Sequence, residues 1–122
     1  MNLTNTVKEL QKANLERIGM FGWSRGGMMT YLALKKSNII ITAVIGNGPT
    51  DLVQLITERP EMETEVCAQL IPNYEKDKKN ELEKRSVLYW ADELDKNASL
   101  LILCGTEDKR VNTNQAESLA RL

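Results

Sequence analysis

The sequence predicts an α/β fold with a mainly parallel sheet that is flanked by helices. Three short apolar runs, at residues 17–21, 39–45 and 100–104, have the composition of strands. The second and third runs are continuously apolar except for Thr42 and do not alternate with polar residues, which is typical of strands that are covered on both faces in a parallel sheet. Helical patterns lie between and around these runs, and this alternation indicates crossover connections between parallel strands.

Two helices are predicted around the first strand. Thr6 and Glu9 have the spacing of a capping box, which predicts that a helix begins near Thr6. Residues 28–36 predict a second helix, because their apolar positions repeat at helical spacing. No internal repeat or Gly/Ser linker divides the chain, so we expect residues 1–122 to form one unit.

The stretch from residue 52 to residue 90 is longer than one crossover needs. Met62, Val66 and Leu70 fall at positions i, i+4 and i+8, which predicts a helix with one apolar face. Further short helices are predicted before and after it. We therefore expect a helical excursion over one end of the sheet.

Composition and charge exclude several classes of function. The chain has 16 basic and 17 acidic residues and a net charge of -1, whereas nucleic-acid binding needs a strongly basic face. No apolar run approaches the roughly 20 residues that span a bilayer, so we expect neither a nucleic-acid nor a membrane partner. The chain contains no histidine, which is the usual base near pH 7 and the commonest metal ligand. We expect no metal and no cofactor.

The two cysteines, Cys67 and Cys104, lack the spacing of metal ligands and are too few for a disulfide framework. Both lie among apolar residues, so we predict two buried free thiols in a reducing compartment. The first residues show no secretion signal. A cytoplasmic location is therefore expected.

The pentapeptide Gly-Trp-Ser-Arg-Gly, centred on Ser24, follows the first predicted strand and precedes a predicted helix. This is the setting of a nucleophile elbow, in which glycines at 22 and 26 let strand and helix approach and Gly27 gives further room. We predict that Ser24 is a nucleophile and that the backbone N–H of Arg25 stabilises an oxyanion. The alternative is an ordinary glycine-rich turn (Gly22, Gly26, Gly27) in which Ser24 only caps the helix.

A carboxylate follows the last predicted strand, where open α/β sheets keep their site residues. Glu107 and Asp108 are both candidates, and spacing alone does not choose between them. A serine followed later by an acid is the chain order of α/β-hydrolases, in which a histidine comes last and the acid orients it. The alternative for Asp108 is a turn residue or a carboxylate paired with a neighbouring basic side chain.

Two segments resemble the catalytic domain of the prolyl oligopeptidase family of serine peptidases, which has the α/β-hydrolase fold. Residues 17–27 resemble its nucleophile segment, and residues 85–91 together with 100–111 resemble its acid segment. In this family the acid lies three residues before a valine, so the resemblance implies Asp108 and not Glu107.

The resemblance also implies an activity: a peptide substrate acylates Ser24, and water then hydrolyses the acyl-enzyme. Leu52 and Val111 are similar to positions that line the family's specificity pocket, although both could be plain core residues. The family's catalytic histidine lies downstream of a helix similar to residues 115–122. The chain thus resembles the middle of a catalytic domain that is cut at both ends.

We expect that its missing N- and C-terminal parts are its partners and that the chain alone is inactive. Two alternatives remain at this point: an esterase or other acyl hydrolase of the same fold, and a non-catalytic α/β domain that keeps the elbow as a turn.

Overall fold

The structure, a computed structural model, describes residues 3–122, with side chains from residue 5 onward. The strands are Ile18–Trp23 (β1), Ile40–Gly46 (β2) and Ser99–Leu103 (β3). The helices are Leu3–Glu9 (α1), Arg25–Lys36 (α2), Leu52–Glu58 (α3), Ala68–Leu70 (α4), Lys78–Glu83 (α5) and Thr113–Ala120 (α6). A π-helical turn, Glu63–Cys67, and two 3₁₀ turns, Val87–Tyr89 and Ala91–Glu93, complete the described elements.

The three strands form one parallel sheet in the order β1-β2-β3. Trp23, Gly46 and Leu103 are level in the register, so all three strands end at the same edge. The segment between β2 and β3 consists of short helices and turns. These findings confirm the predicted α/β class, the parallel sheet and the helical excursion.

The first helix differs from its prediction. Because α1 already includes Leu3, Thr6 lies inside the helix and does not cap it. The predicted capping box is therefore wrong.

Two separate groups of buried side chains stabilise the fold. The first, which we call the sheet cluster, packs α2 and the 3₁₀ turns against one face of the sheet; its members include Tyr31, Leu34, Ala43, Ile45, Val87 and Trp90. The second, the excursion cluster, joins α3, the π-helical turn and α5; its members include Leu52, Leu55, Cys67, Tyr74, Leu82 and Val111. The sheet and α2 thus share one core with the 3₁₀ turns, and most of the excursion shares a second, against which Met28 of α2 also packs.

The opposite face of the sheet is apolar and exposed. Phe21, Trp23 and Leu101 are 65%, 56% and 54% exposed, and Leu103 beside them is also exposed. The register places Phe21 and Leu101 on either side of Val44, so these side chains form one surface. Continuous apolar runs predicted strands covered on both faces, whereas the described residues cover only one face.

The two cysteines lie in different surroundings. Cys67 is buried in the excursion cluster, as predicted, but Cys104 is exposed just beyond β3, so that part of the prediction is wrong. Across residues 3–122 no helix is both long and apolar enough to traverse a bilayer.

Candidate active site

Ser24 occupies a strained turn between β1 and α2. Its φ is 53° and its ψ is -118°, a conformation that residues with a side chain rarely adopt. The Ser24 N–H donates to the carbonyl of Gly46 over 2.8 Å, and the Ser24 carbonyl accepts from the N–H of Gly27 over 2.9 Å. The side chain is exposed and makes no capping hydrogen bond to α2, which argues against the reading of Ser24 as a mere cap.

The three elbow glycines differ in what surrounds them. A Cβ atom on Gly22 would lie 2.3 Å from both the carbonyl oxygen of Gly26 and Oγ1 of Thr30. A Cβ atom on Gly27 would lie 2.8 Å from the Cα atom of Gly48. A Cβ atom on Gly26 would meet none of the described atoms within 4 Å. Close approach therefore requires glycine at 22 and 27, but the steric need that we predicted at 26 is not found among the described residues.

Arg25 is the first residue of α2. Its backbone N–H is one of the helix-terminal donors that have no acceptor within their own helix, and the helix dipole makes this end positive. An oxyanion formed beside Ser24 would meet this donor directly. The predicted oxyanion role of Arg25 stays a prediction, and this placement is compatible with it.

The structure distinguishes Asp108 from Glu107. The Asp108 carboxylate is half-buried, and its Oδ1 accepts from the N–H groups of Arg110, over 2.7 Å, and Val111, over 3.1 Å. Glu107 is exposed and has no hydrogen bond or ion pair among the described residues. Asp108 thus organises its loop as a turn residue through Oδ1, while Oδ2 has no hydrogen-bond partner in residues 3–122.

Ser24 and Asp108 follow the two outer strands of the sheet at the same edge. Their strands are two strand spacings apart, roughly 10 Å. A histidine would have to bridge the serine and the acid, and the sequence contains none. Within residues 3–122 no group of side chains could hold a metal ion either.

A cavity of about 610 Å³ opens beside Ser24. Leu52 and Val111, the two predicted pocket residues, both line it, and both also belong to the excursion cluster. The apolar face predicted for Met62, Val66 and Leu70 lines the same cavity. This volume is within the range of about 300–1,000 Å³ that is typical of small-ligand sites.

Besides Arg25, three arginines line the cavity that were not predicted as site residues from the sequence: Arg59, Arg85 and Arg110. The guanidinium of Arg85 is 2.7 Å from Oε2 of Glu81. The spacing of four residues between Glu81 and Arg85 is typical of an ion pair on a helix, so the sequence could have predicted this pair. Hydrogen bonds from Lys84 and Arg85 lower the pKa of Glu81. Arg59 and Arg85 line the cavity because the excursion folds back beside Ser24, which local sequence does not reveal.

The parallel sheet carries at one edge both the elbow and the loop after β3 that contains Asp108, which we call the acid loop. Together they define an α/β-hydrolase fold. The sequence model of the prolyl oligopeptidase family matches residues 1–122, and the chain belongs to that family. No curated protein matches it significantly.

Solved structures share this fold. A puromycin-hydrolyzing peptidase of Mycobacterium tuberculosis has 23% identity and a TM-score of 0.81 over 98% of this chain. A Pyrococcus horikoshii acylaminoacyl peptidase has 22% identity and a TM-score of 0.73, and a puromycin hydrolase 20% and 0.84, each over 98% of this chain. The chain covers 18%, 19% and 18% of these three proteins, respectively, or about one fifth of their length.

Proposed function

We propose that this chain carries the nucleophile and the acid of a serine peptidase, Ser24 and Asp108, and that a histidine outside these 122 residues completes the triad. The observation that carries the proposal is the strained Ser24, whose side chain does not cap α2 and which lines a largely apolar cavity. Backbone strain of this kind is typical of functional sites. Membership of the prolyl oligopeptidase family supports the same reaction class.

In this reaction Oγ of Ser24 attacks the carbonyl carbon of a peptide bond, and its proton passes to the histidine. The N–H of Arg25 donates to the tetrahedral oxyanion, and Oδ2 of Asp108 accepts from the imidazolium. The histidine then protonates the leaving amine. Water attacks the acyl carbonyl while the histidine takes its proton, and the histidine returns this proton to Oγ of Ser24 as the acid product leaves.

The cavity supports a small, peptide-like substrate with an apolar side chain. Its volume suits one large side chain or a dipeptide, and Leu52 and Val111 form part of its apolar wall. The structural neighbours include a puromycin hydrolase and an acylaminoacyl peptidase, whose names point to the same substrate class.

The chain alone is expected to be inactive because it has no histidine. Removal of the histidine from a serine-protease triad costs about 10⁶ in turnover. That factor corresponds to about 8 kcal/mol of transition-state stabilisation. Free imidazole is the natural probe, because it supplies the missing base without changing the chain.

The test incubates the chain with the p-nitrophenyl ester of N-acetyl-leucine, with and without imidazole. We expect an acyl adduct on Ser24, located by mass spectrometry of proteolytic peptides, only when imidazole is present. Ser24→Ala should abolish the adduct. Ser118→Ala, which replaces an exposed serine of α6, is the matched control and should leave it unchanged.

A second variant, Asp108→Asn, tests the role of the acid. A hydrogen bond to a charged group is worth about 1.5–3 kcal/mol, so Asp108→Asn should slow imidazole-dependent acylation about 10- to 100-fold. An adduct yield that Ser24→Ala does not change would contradict the proposal. Ester hydrolysis above background without imidazole would contradict the expected inactivity of the chain alone.

A further inference from the structure

The turn at residues 46–48, just after β2, contacts both the elbow and the acid loop. We propose that Asn47 in this turn is a positioning residue, which sets the placement of Asp108 relative to Ser24. This inference rests on the function proposed above for Ser24 and Asp108. Through Asn47, the described residues hold the Asp108 carboxylate and the Ser24 hydroxyl in a fixed relative position.

The elbow packs against this turn and is hydrogen-bonded to it. The Ser24 N–H donates to the carbonyl of Gly46 over 2.8 Å. Gly48 lies against Gly27 so closely that a Cβ atom on either residue would be 3.1 Å or less from backbone atoms of the other. The position of the turn therefore determines the position of the nucleophile.

Asn47 connects the same turn to the acid loop. Its backbone N–H donates to the carbonyl of Leu103, at the end of β3, over 2.8 Å. Its side-chain Oδ1 accepts from the N–H of Gly105 over 3.1 Å. The carbonyl of Gly105 in turn accepts from the N–H of Asp108 over 3.0 Å. A continuous path of hydrogen bonds thus runs from Asn47 to the acid.

Asparagine suits this position for two separate reasons. The φ of Asn47 is 45°, in the left-handed region that asparagine tolerates better than most residues. Its amide oxygen also reaches the N–H of Gly105. Glycine would keep the backbone conformation but remove the acceptor, and a larger apolar residue would fail on both counts.

This arrangement allows the side chain to be tested apart from the backbone. Asn47→Gly removes only the amide, whereas Asn47→Asp keeps an acceptor oxygen at the same place. Asn73→Gly is the matched control, because Asn73 also has a positive φ, of 60°, but its side chain makes no hydrogen bond among the described residues.

The first measurement is amide hydrogen exchange by NMR. Loss of one hydrogen bond should speed exchange at Gly105 about tenfold in Asn47→Gly. Asn47→Asp should keep the wild-type rate at Gly105, and so should Asn73→Gly. An unchanged rate at Gly105 in Asn47→Gly would overturn the inference.

The second measurement is a double-mutant cycle on imidazole-dependent acylation of Ser24. Misplacement of a catalytic group by about 1 Å can cost about 100-fold in rate, and we expect Asn47→Gly to lose about tenfold. Because Asn47 acts through Asp108, adding Asn47→Gly to Asp108→Asn should cause no further loss. A merely structural role would instead give additive losses, and additive losses would overturn the inference.

The two proposals fail in different ways. If wild-type Ser24 acquires no imidazole-dependent acyl group, the proposed function fails, and the catalytic sense of the positioning role fails with it. If the wild type is acylated and Asn47→Gly is acylated at the same rate, only the positioning role is overturned.

Discussion

Replacement of Gly22 by alanine tests whether the elbow depends on the close approach of β1 and α2. The added Cβ atom would lie 2.3 Å from the carbonyl oxygen of Gly26 and from Oγ1 of Thr30, whereas ordinary contact begins at 3.4 Å. The Gly26 carbonyl belongs to the first turn of α2 and also accepts a hydrogen bond from Thr30. It cannot move by about 1 Å without the helix.

The expected loss follows from this overlap. Overpacking of a close-packed interior costs about 1–3 kcal/mol, and we expect Gly22→Ala to lie at the upper end, about 3 kcal/mol of unfolding free energy. Gly26→Ala should have the opposite sign. Its Cβ atom meets open space among the described residues, and alanine is preferred to glycine inside a helix by about 0.5–1 kcal/mol.

Urea unfolding followed by circular dichroism measures both changes. With a slope of about 1–3 kcal/mol per molar urea, Gly22→Ala should lower the midpoint by about 1–3 M. Gly26→Ala should raise the midpoint slightly. The reasoning would be refuted if Gly22→Ala unfolded within about 0.5 kcal/mol of the wild type, or if Gly26→Ala were the less stable of the two variants.

Three further predictions concern the surroundings of the cavity. Asp51 caps α3 by accepting from two backbone N–H groups at 2.8 and 3.1 Å, so Asp51→Ala should lose about 1 kcal/mol in urea unfolding, and Asp51→Asn should recover most of it. The pKa of Glu81 is lowered in the folded chain, so its contribution to stability is complete above the ordinary value of 4.5 and is lost as the pH falls through the folded-state pKa. The unfolding free energy of Glu81→Gln should therefore depend less on pH in this acidic range than that of the wild type. Burial raises the pKa of the Cys67 thiol, whereas Cys104 is exposed, so a disulfide reagent should label Cys104 in the native chain and label Cys67 at a comparable rate only in urea.

The sheet could be predicted from the sequence because its second and third strands are almost continuously apolar. The first strand nevertheless runs to Trp23, two residues past its predicted end, because pairing with β2 continues through Gly22. In the same way α2 begins at Arg25 and not at residue 28. Glycines in its first turn have a low helix propensity, so the sequence did not predict a helix there. The packing of Gly27 against Gly48 stabilises that turn in the fold.

The candidate site was predictable where the chemistry lies in one short segment. Ser24 directly follows β1 and Asp108 lies in the loop just after β3, so the parallel strands place them at one edge. Asn47 could not be predicted, because neither its positive φ nor its contact with Gly105, 58 residues away, leaves a local pattern. Arg59 and Arg85 at the cavity were missed for the same reason.

The two separate cores have a consequence for how this molecule can change. The sheet cluster supports the turn that presents Ser24, while the excursion cluster supports most of the cavity wall. Segments with independent cores can open and repack with free energies of their own. Substitutions at Leu55 or Tyr74, inside the excursion cluster, should therefore reshape what the cavity admits and leave the nucleophile where it is. Val111 is the exception: it belongs to the excursion cluster and its N–H donates to Asp108, so a substitution there should alter the cavity wall and the acid together.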